Sequence, residues 1–272
     1  MIPTYTQSNS QIPALGFGTW DLRGEVAIEM VGATLAAGYR HIDTAQMYDN
    51  EVEVGKAINQ SGIDREDIFL TTKVGKANLG KADFLATTQQ SLEKLGQDYV
   101  DLLLIHWPNP NIPLAETLEA LAQAKELGYA RNIGVSNFPI ALLKQTLQAG
   151  IRPFTNQVEY HPFLDQSKLL DFMREEKISL TAYSPIAQGK VIGNPSIKAL
   201  GDKYGKHETQ ITLRWLMQQD LIAIPRTSKV RNMKANMDIF DFALTEAEMN
   251  TISALGSASG RLVNPSNGPD WD

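Results

Sequence analysis

The stretch IFLTTKVGKANLGKADFLATTQQSLEKLGQDYVDLLLIHW, residues 68 to 107, decides the fold class. Its two ends, IFLTTKV and VDLLLIHW, are short apolar or β-branched runs that read as strands. Between them DFLATTQQSLEKLG repeats apolar residues three and four apart, the period of an amphipathic helix. A strand, a helix and a second strand in that order imply parallel neighbours, because only a crossover connection joins parallel strands. Working outward, the same alternation continues in both directions. Further strand-like runs are LGFGTW (15 to 20), YRHIDT (39 to 44), ARNIGVSN (130 to 137), FTNQVEY (154 to 160), ISLTAYS (178 to 184) and LIAIPR (221 to 226). EVAIEMVGATLAAG and LAETLEALAQAKELG have helical periodicity, and both close with a Gly-Tyr step suited to a helix C′ position. Eight strands, each followed by a helix, predict a closed (β/α)8 barrel of the TIM type. The alternative is an open doubly wound sheet, which would carry a G-x-G-x-x-G turn after its first strand; LGFGTW has no third glycine and opens no helix. Ahead of the first strand, YTQSNSQIPAL reads as a β-hairpin around a polar turn, placed to plug the N-terminal mouth of the barrel.

Composition sets the outer limits. A chain of 272 residues with 43 % hydrophobic residues can bury a barrel-sized core, and no Pro/Gly/Ser-rich linker divides it, so residues 1–272 are expected to form one domain. The net charge of −6 and pI near 5.3 argue against a general nucleic-acid binder. The absence of cysteine removes disulfides, thiolate metal sites and cysteine nucleophiles together. MIPTYTQSNSQIP lacks the basic start and apolar run of a signal peptide, and no stretch approaches ~18 consecutive apolar residues. The expectation is a soluble cytoplasmic protein without membrane partners, monomeric by default.

Barrels of this type carry their chemistry at the C-terminal ends of strands and in the loops that follow. Four polar residues meet that rule: Asp43 at the end of the second strand, Tyr48 in the loop after it, Lys73 at the end of the third and His106 at the end of the fourth. Taken singly, each has an ordinary role. Asp43 could be a helix N-cap, Lys73 a solvated strand end, His106 a packing residue beside Trp107, and Tyr48 a loop aromatic. Together they form a coherent proton-delivery set. Inward polar groups beside a packed core cost several kcal/mol unless they satisfy one another. Lys73 can lower the phenol pKa of Tyr48 from its usual ~10, Asp43 can balance Lys73, and His106 can orient a substrate carbonyl. No G-x-S-x-G elbow or metal cluster supplies a nucleophile for the carbon, so the electron pair points to a nicotinamide hydride.

The later strand ends offer a place for such a coenzyme. Ser136, Asn137 and Gln157 present donors for a carboxamide, and Tyr183 offers a flat stacking face with Ser184 and a glycine-containing loop behind it. After the eighth strand, IPRTSKVRN packs Arg226, Thr227, Ser228, Lys229 and Arg231 just before a short helix, the one dense cationic spot in an acidic chain. Such a turn suits a phosphate. Its ordinary alternative is a solvated basic turn.

From end to end the chain resembles the aldo-keto reductases. The most specific carriers are GYRHIDTAQMYDNE with LTTKV and DLLLIHWP; IGVSNF, NQVEYHP, AYSP and IPRTSKVRNMKAN resemble the family's coenzyme-binding segments. The resemblance implies NADPH bound in extended form across the rim and reversible reduction of small-molecule aldehydes and ketones. It implies Tyr48 as acid/base, Lys73 and Asp43 tuning it, His106 orienting the carbonyl and Tyr183 stacking on the nicotinamide. It extends the coenzyme set to Gly18, Thr19, Trp20, Asp43, Pro185, Ile186, Gln188, Gly189, Asn232 and Asn236, and the substrate set to Trp20, Tyr48, His106 and Trp107, with no metal. The ending GRLVNPSNGPDWD is short and resembles that of the bacterial 2,5-diketo-D-gluconate reductases, especially the B type that also reduces methylglyoxal. A short tail implies an open, tolerant mouth, with Trp271 either folded back or at a frayed terminus. One departure concerns coenzyme choice. Many members have Lys-Ser where this chain has Arg226-Thr227, and Arg where it has Asn232, although Arg can still grip a 2′-phosphate. Two other readings are a metal-dependent barrel hydrolase using His41, Asp43, Lys73, His106 and His161, and a nucleotide-binding barrel without turnover. His161 is read as a loop-shaping residue, and His41 and His207 as structural or solvated.

Overall fold

The computed structural model describes residues 2–7 and 10–272. Two antiparallel strands, β1 (Thr4–Gln7) and β2 (Ser10–Pro13), open the chain with Tyr5 opposite Ile12. The polar turn expected between them, Ser8–Asn9, lies outside the described residues. Eight parallel strands follow: β3 (Phe17–Gly18), β4 (His41–Asp43), β5 (Phe69–Val74), β6 (Val100–Ile105), β7 (Ala130–Ser136), β8 (Thr155–Glu159), β9 (Ser179–Tyr183) and β10 (Ile222–Ala223). Each pairs with its neighbours in chain order. The ring closes where Leu15 bridges Ala223, with Gly16 N–H donating to Ala223 O at 2.9 Å and Ala223 N–H to Ala14 O at 2.8 Å. The expected (β/α)8 barrel and its hairpin are therefore both present. Ile12 is fully buried against Phe69, Leu102, Leu104, Phe154 and Ile222, so the hairpin inserts an apolar plug into the barrel's interior.

The period of two along β5 positions the chemistry. Phe69 faces the barrel interior, so Thr71 and Lys73 share its face while Thr72 points outward to the Glu51 carboxylate at 2.6 Å. The same alternation puts His41 and Asp43 on one face of β4. Outside the ring, helices such as Lys81–Leu95 and Leu114–Glu126 cover the sheet with their apolar stripes. The sequence expectation of one helix per strand needs amendment at the end of the chain. β9 is followed by both Pro195–Tyr204 and Glu208–Met217, and β10 by both Val230–Met237 and Glu246–Ser253. Local capping explains the splits. Asn194 accepts from Ser196 and Ile197 N–H ahead of Pro195, and capping boxes at His207/Gln210 and Thr245/Glu248 start the second helix of each pair. No described helix is long and apolar enough to cross a membrane.

His41 is structural, as expected, and wholly buried, with Nδ1 3.3 Å from Pro13 O and Nε2 3.4 Å from Thr71 Oγ1. Burial, partly opposed by Asp43, pushes its pKa from 6.5 down to about 4. The unfolded chain therefore binds a proton that the native state refuses between these two values. Stability is full above 6.5, falls as pH drops toward 4 and levels off below it. The difference is on the order of 3 kcal/mol. Denaturant titrations near pH ~7 and ~4 should show His41→Asn losing less stability on acidification than the parent by about that amount. Equal losses would mean that another group carries the acid sensitivity.

Candidate active site

Asp43, Tyr48, Lys73 and His106 converge on the C-terminal rim, each from a different strand end or the loop behind it. Lys73 Nζ donates to Asp43 Oδ1 at 2.6 Å, to Thr44 O at 2.9 Å and to Tyr48 Oη at 3.4 Å. The Lys73–Asp43 pair is almost completely excluded from solvent. Asp43 caps no helix; that place before Glu51–Gln60 belongs to Asn50. The Tyr48 and His106 rings meet edge to face with centroids 5.5 Å apart. His106 is 6 % exposed, and its Nδ1 is a buried atom without a hydrogen-bond partner.

The electrostatics differ from the sequence expectation in one respect. The Tyr48 phenol is held well above its ordinary value of 10.0, first by burial and then by the Asp43 charge, instead of being lowered by Lys73. The reason is that the ammonium's field is largely cancelled by the carboxylate 2.6 Å away, which leaves burial to dominate at the phenol. Burial pushes Lys73 itself downward while Asp43 opposes it, and burial, helped by Lys73, holds His106 well below 6.5. Near neutral pH the rim thus offers a protonated phenol and a neutral imidazole.

Tyr48 owes its position to a one-turn 3-10 segment, Gln46–Tyr48. The Gln46 amide pins that turn to the next βα unit: Oε1 accepts from Gly75 N–H at 2.9 Å and Asn78 Nδ2 at 3.2 Å, and Nε2 donates to Ser91 Oγ at 3.2 Å. Asn50 has a similar part, accepting from Thr44 Oγ1 at 2.7 Å and donating to Thr19 O and Leu22 O at 2.8 and 3.0 Å. Sequence reasoning missed both residues. They stand in the stretch that carries the catalytic pattern, but an amide in a loop gives no sign of what it will bond to.

The residues expected to hold the coenzyme are wired to the same centre. Gln157 Nε2 donates to Asp43 Oδ2 at 2.8 Å, Ser136 Oγ to Gln157 O at 2.7 Å, Asn137 Nδ2 to Ser136 Oγ at 3.1 Å, and Tyr183 Oη to Asn137 Oδ1 at 2.9 Å. Thr19 donates through N–H and Oγ1 to Asp43 O, both at 3.0 Å. Gly18 must lack a side chain, because a Cβ there would stand 2.9 Å from Ile224 O across the closing seam. After β9, Ser184, Ala187 and Gln188 have φ of 47, 49 and 53°, so the loop running through Pro185, Ile186 and Gly189 is held in a conformation that non-glycine residues seldom adopt. Ser228 and Lys229 are exposed in the cationic turn and Arg231 and Asn232 in the first turn of the helix Val230–Met237 that follows, while Thr227 and Asn236 are buried. Arg226 is turned aside. Its Nε and Nη2 donate to Trp20 O at 3.0 Å and Asp21 O at 2.9 Å.

Trp20, 59 % exposed, and the half-buried Trp107 flank the opening. Trp271 folds back, its ring centroid 6.2 Å from that of Trp107, with the Arg261 guanidinium carbon 3.6 Å from the centroid of the Trp271 ring. The tail is tied at both ends. Glu159 accepts from Leu262 and Val263 N–H at 2.7 and 2.8 Å, and the Asp272 carboxylate accepts from Ile140 N–H at 3.0 Å. His161, expected to shape a loop, supports this anchor with Nε2 2.8 Å from Glu159 Oε1. His207 starts a helix. Among the described residues, no group of three histidine or carboxylate side chains is placed to hold a metal ion.

A closed (β/α)8 barrel whose rim joins a buried Lys–Asp pair, a phenol and an imidazole defines a class of carbonyl-acting oxidoreductases. The profile of the Aldo/keto reductase family matches residues 14–257, and the chain belongs to that family as an NAD(P)H-dependent oxidoreductase. Methylglyoxal reductase DkgB of Yersinia pestis is 41 % identical over 266 residues, covering 96 % of this chain and 99 % of that one. The crystal structure of a putative 2,5-diketo-D-gluconic acid reductase B is similar with a TM-score of 0.97 at 44 % identity, covering 100 % of this chain and 98 % of the other. The Bombyx mori aldo-keto reductase in complex with NADP is similar with a TM-score of 0.91 at 33 % identity, covering 99 % and 97 %.

Proposed function

We propose that this enzyme reduces dicarbonyls, such as methylglyoxal and 2,5-diketo-D-gluconate, with NADPH, and that Tyr48 is the proton donor. The observation that carries the reading is Lys73 Nζ shared between Asp43 and the Tyr48 hydroxyl, at 2.6 and 3.4 Å. The residues present fit a nicotinamide coenzyme. Ser136, Asn137 and Gln157 offer amide and hydroxyl groups, Tyr183 offers a ring, and Arg226, Lys229 and Arg231 offer cations for phosphate. When bound, the coenzyme supplies a hydride.

The chain's own residues do the rest. Neutral His106 orients the substrate oxygen and polarises the carbonyl. Tyr48, kept protonated by burial, transfers its phenolic proton to that oxygen as negative charge develops there. Lys73 then stabilises the phenolate left behind, and Asp43 keeps the ammonium charged in a site from which water is excluded. Trp20, Trp107 and Trp271 form the apolar walls of the mouth, which suits compact substrates. A cysteine-free chain suits the reducing cytoplasm, and we take the working unit to be the monomer. Mixing purified protein with NADPH and a panel of methylglyoxal, 2,5-diketo-D-gluconate and aromatic aldehydes should consume reduced-nicotinamide absorbance, fastest with the dicarbonyls. No turnover across the panel with either NADPH or NADH would overturn the assignment.

A further inference from the structure

We propose that Asp21 is a coenzyme-selecting residue: its carboxylate pairs with Arg226 and competes for that guanidinium with the 2′-phosphate of NADPH, a group that NADH lacks. This rests on the reading that the segment from Ile224 to Asn232, a turn running into the helix Val230–Met237, receives the phosphate end of the coenzyme. Of its three cations, Arg226, Lys229 and Arg231, only Arg226 is ion-paired among the described residues, with Nη2 3.3 Å from Asp21 Oδ2. The engagement goes beyond the charge. Nε donates to Trp20 O at 3.0 Å and Nη2 to Asp21 O at 2.9 Å, so the edge of the guanidinium that would grip a phosphate with two parallel N–H groups is already committed.

The loop that makes this demand is fixed. Thr19 is bonded to Asp43 O, Asn50 Nδ2 clamps Thr19 O and Leu22 O at 2.8 and 3.0 Å, and Asp21 sits between these clamps at φ 59°. A non-glycine residue held at positive φ persists where its surroundings over-determine it. Arg226, on the longer and freer side chain, is therefore the partner that must move when a phosphate arrives. The pair bridges the ends of β3 and β10, next to the seam where Gly18 N–H donates to Pro225 O at 3.2 Å. NADPH has to displace Asp21 from Arg226 to use that cation, whereas NADH leaves the pair intact. The side chains of Arg226 and Asp21 are 33 % and 63 % exposed, so solvent screening keeps the competition modest.

The test is equilibrium binding of NADPH and NADH, read by quenching of protein fluorescence, to the full-length protein, Asp21→Asn, Arg226→Ala and the double variant. Asn tolerates the left-handed backbone, so the loop is retained. Asp21→Asn should tighten NADPH about two- to fivefold relative to NADH. In the Arg226→Ala background the same change should leave the NADPH/NADH ratio where it was. A general relief of negative charge would instead tighten both nucleotides alike, and that result overturns the proposal. So does a gain in NADPH selectivity that persists without Arg226. Failure of the parent protein to bind either nucleotide would sink the functional reading itself, which is a different outcome from binding both with an unaltered ratio.

Discussion

Tyr48→Phe should cut turnover with a dicarbonyl by about two to four orders of magnitude, the range expected when a positioned general acid is removed. The substitution deletes one oxygen. The edge-to-face contact of the ring with His106 and the turn anchored by Gln46 are both retained. Among the described residues the only hydrogen bond given up is the 3.4 Å contact with Lys73 Nζ, which keeps its shorter bonds to Asp43 and Thr44. NADPH affinity and folding stability should therefore stay close to those of the parent. Stopped-flow single turnover together with a fluorescence titration of NADPH separates these quantities. Retention of a tenth or more of the parental rate would remove Tyr48 from the role assigned to it.

Lys73→Met should be costly in a second way. Asp43 is 0 % exposed, and among the described residues Lys73 supplies its only ion pair and Gln157 Nε2, at 2.8 Å, its one other side-chain donor. Breaking one side of a buried pair strands the other charge, and the expected loss is about 3–5 kcal/mol of stability. Turnover should fall as well, since the phenolate formed at Tyr48 would face Asp43 without the ammonium. Adding Asp43→Asn to Lys73→Met should restore much of the stability by removing the stranded charge, with no recovery of activity. Urea unfolding and steady-state rates measured on the same samples check both halves. If the single variant unfolds like the parent, the pair is not the structural keystone that its burial implies.

Much of this site was legible because its residues are tied to strand ends. Lys73 and His106 each follow directly on a run of apolar or β-branched residues and Asp43 ends the strand-like stretch YRHID, and the barrel rule converts those positions into a place on one rim. Glu159 and Asp21 were not legible in the same way. Glu159 gains its importance from backbone N–H groups about a hundred positions later in the chain, at Leu262 and Val263, and Asp21 from a guanidinium on the far side of the closing seam. Gln157, expected to meet a carboxamide, also donates through Nε2 to Asp43. Only the closed ring brings β8 across from β4.

The direction in which Tyr48 is perturbed marks the same boundary. Residue types alone suggested that an adjacent ammonium would lower the phenol, and that inference failed because it needs a net charge, which depends on where Asp43 stands relative to Lys73. By itself the sequence determined the alternation of strands and helices, hence the parallel barrel, and the side chains delivered to its rim, since both follow from periodicities of two and 3.6 along the chain. Tertiary structure alone decided which of those side chains neutralise one another, that Trp271 lies against Trp107, and that Arg226 is held by Asp21. Distances between residues remote in sequence are set by how the ring closes and the tail packs, and hydrogen bonds and ion pairs are decided by differences of an ångström or less.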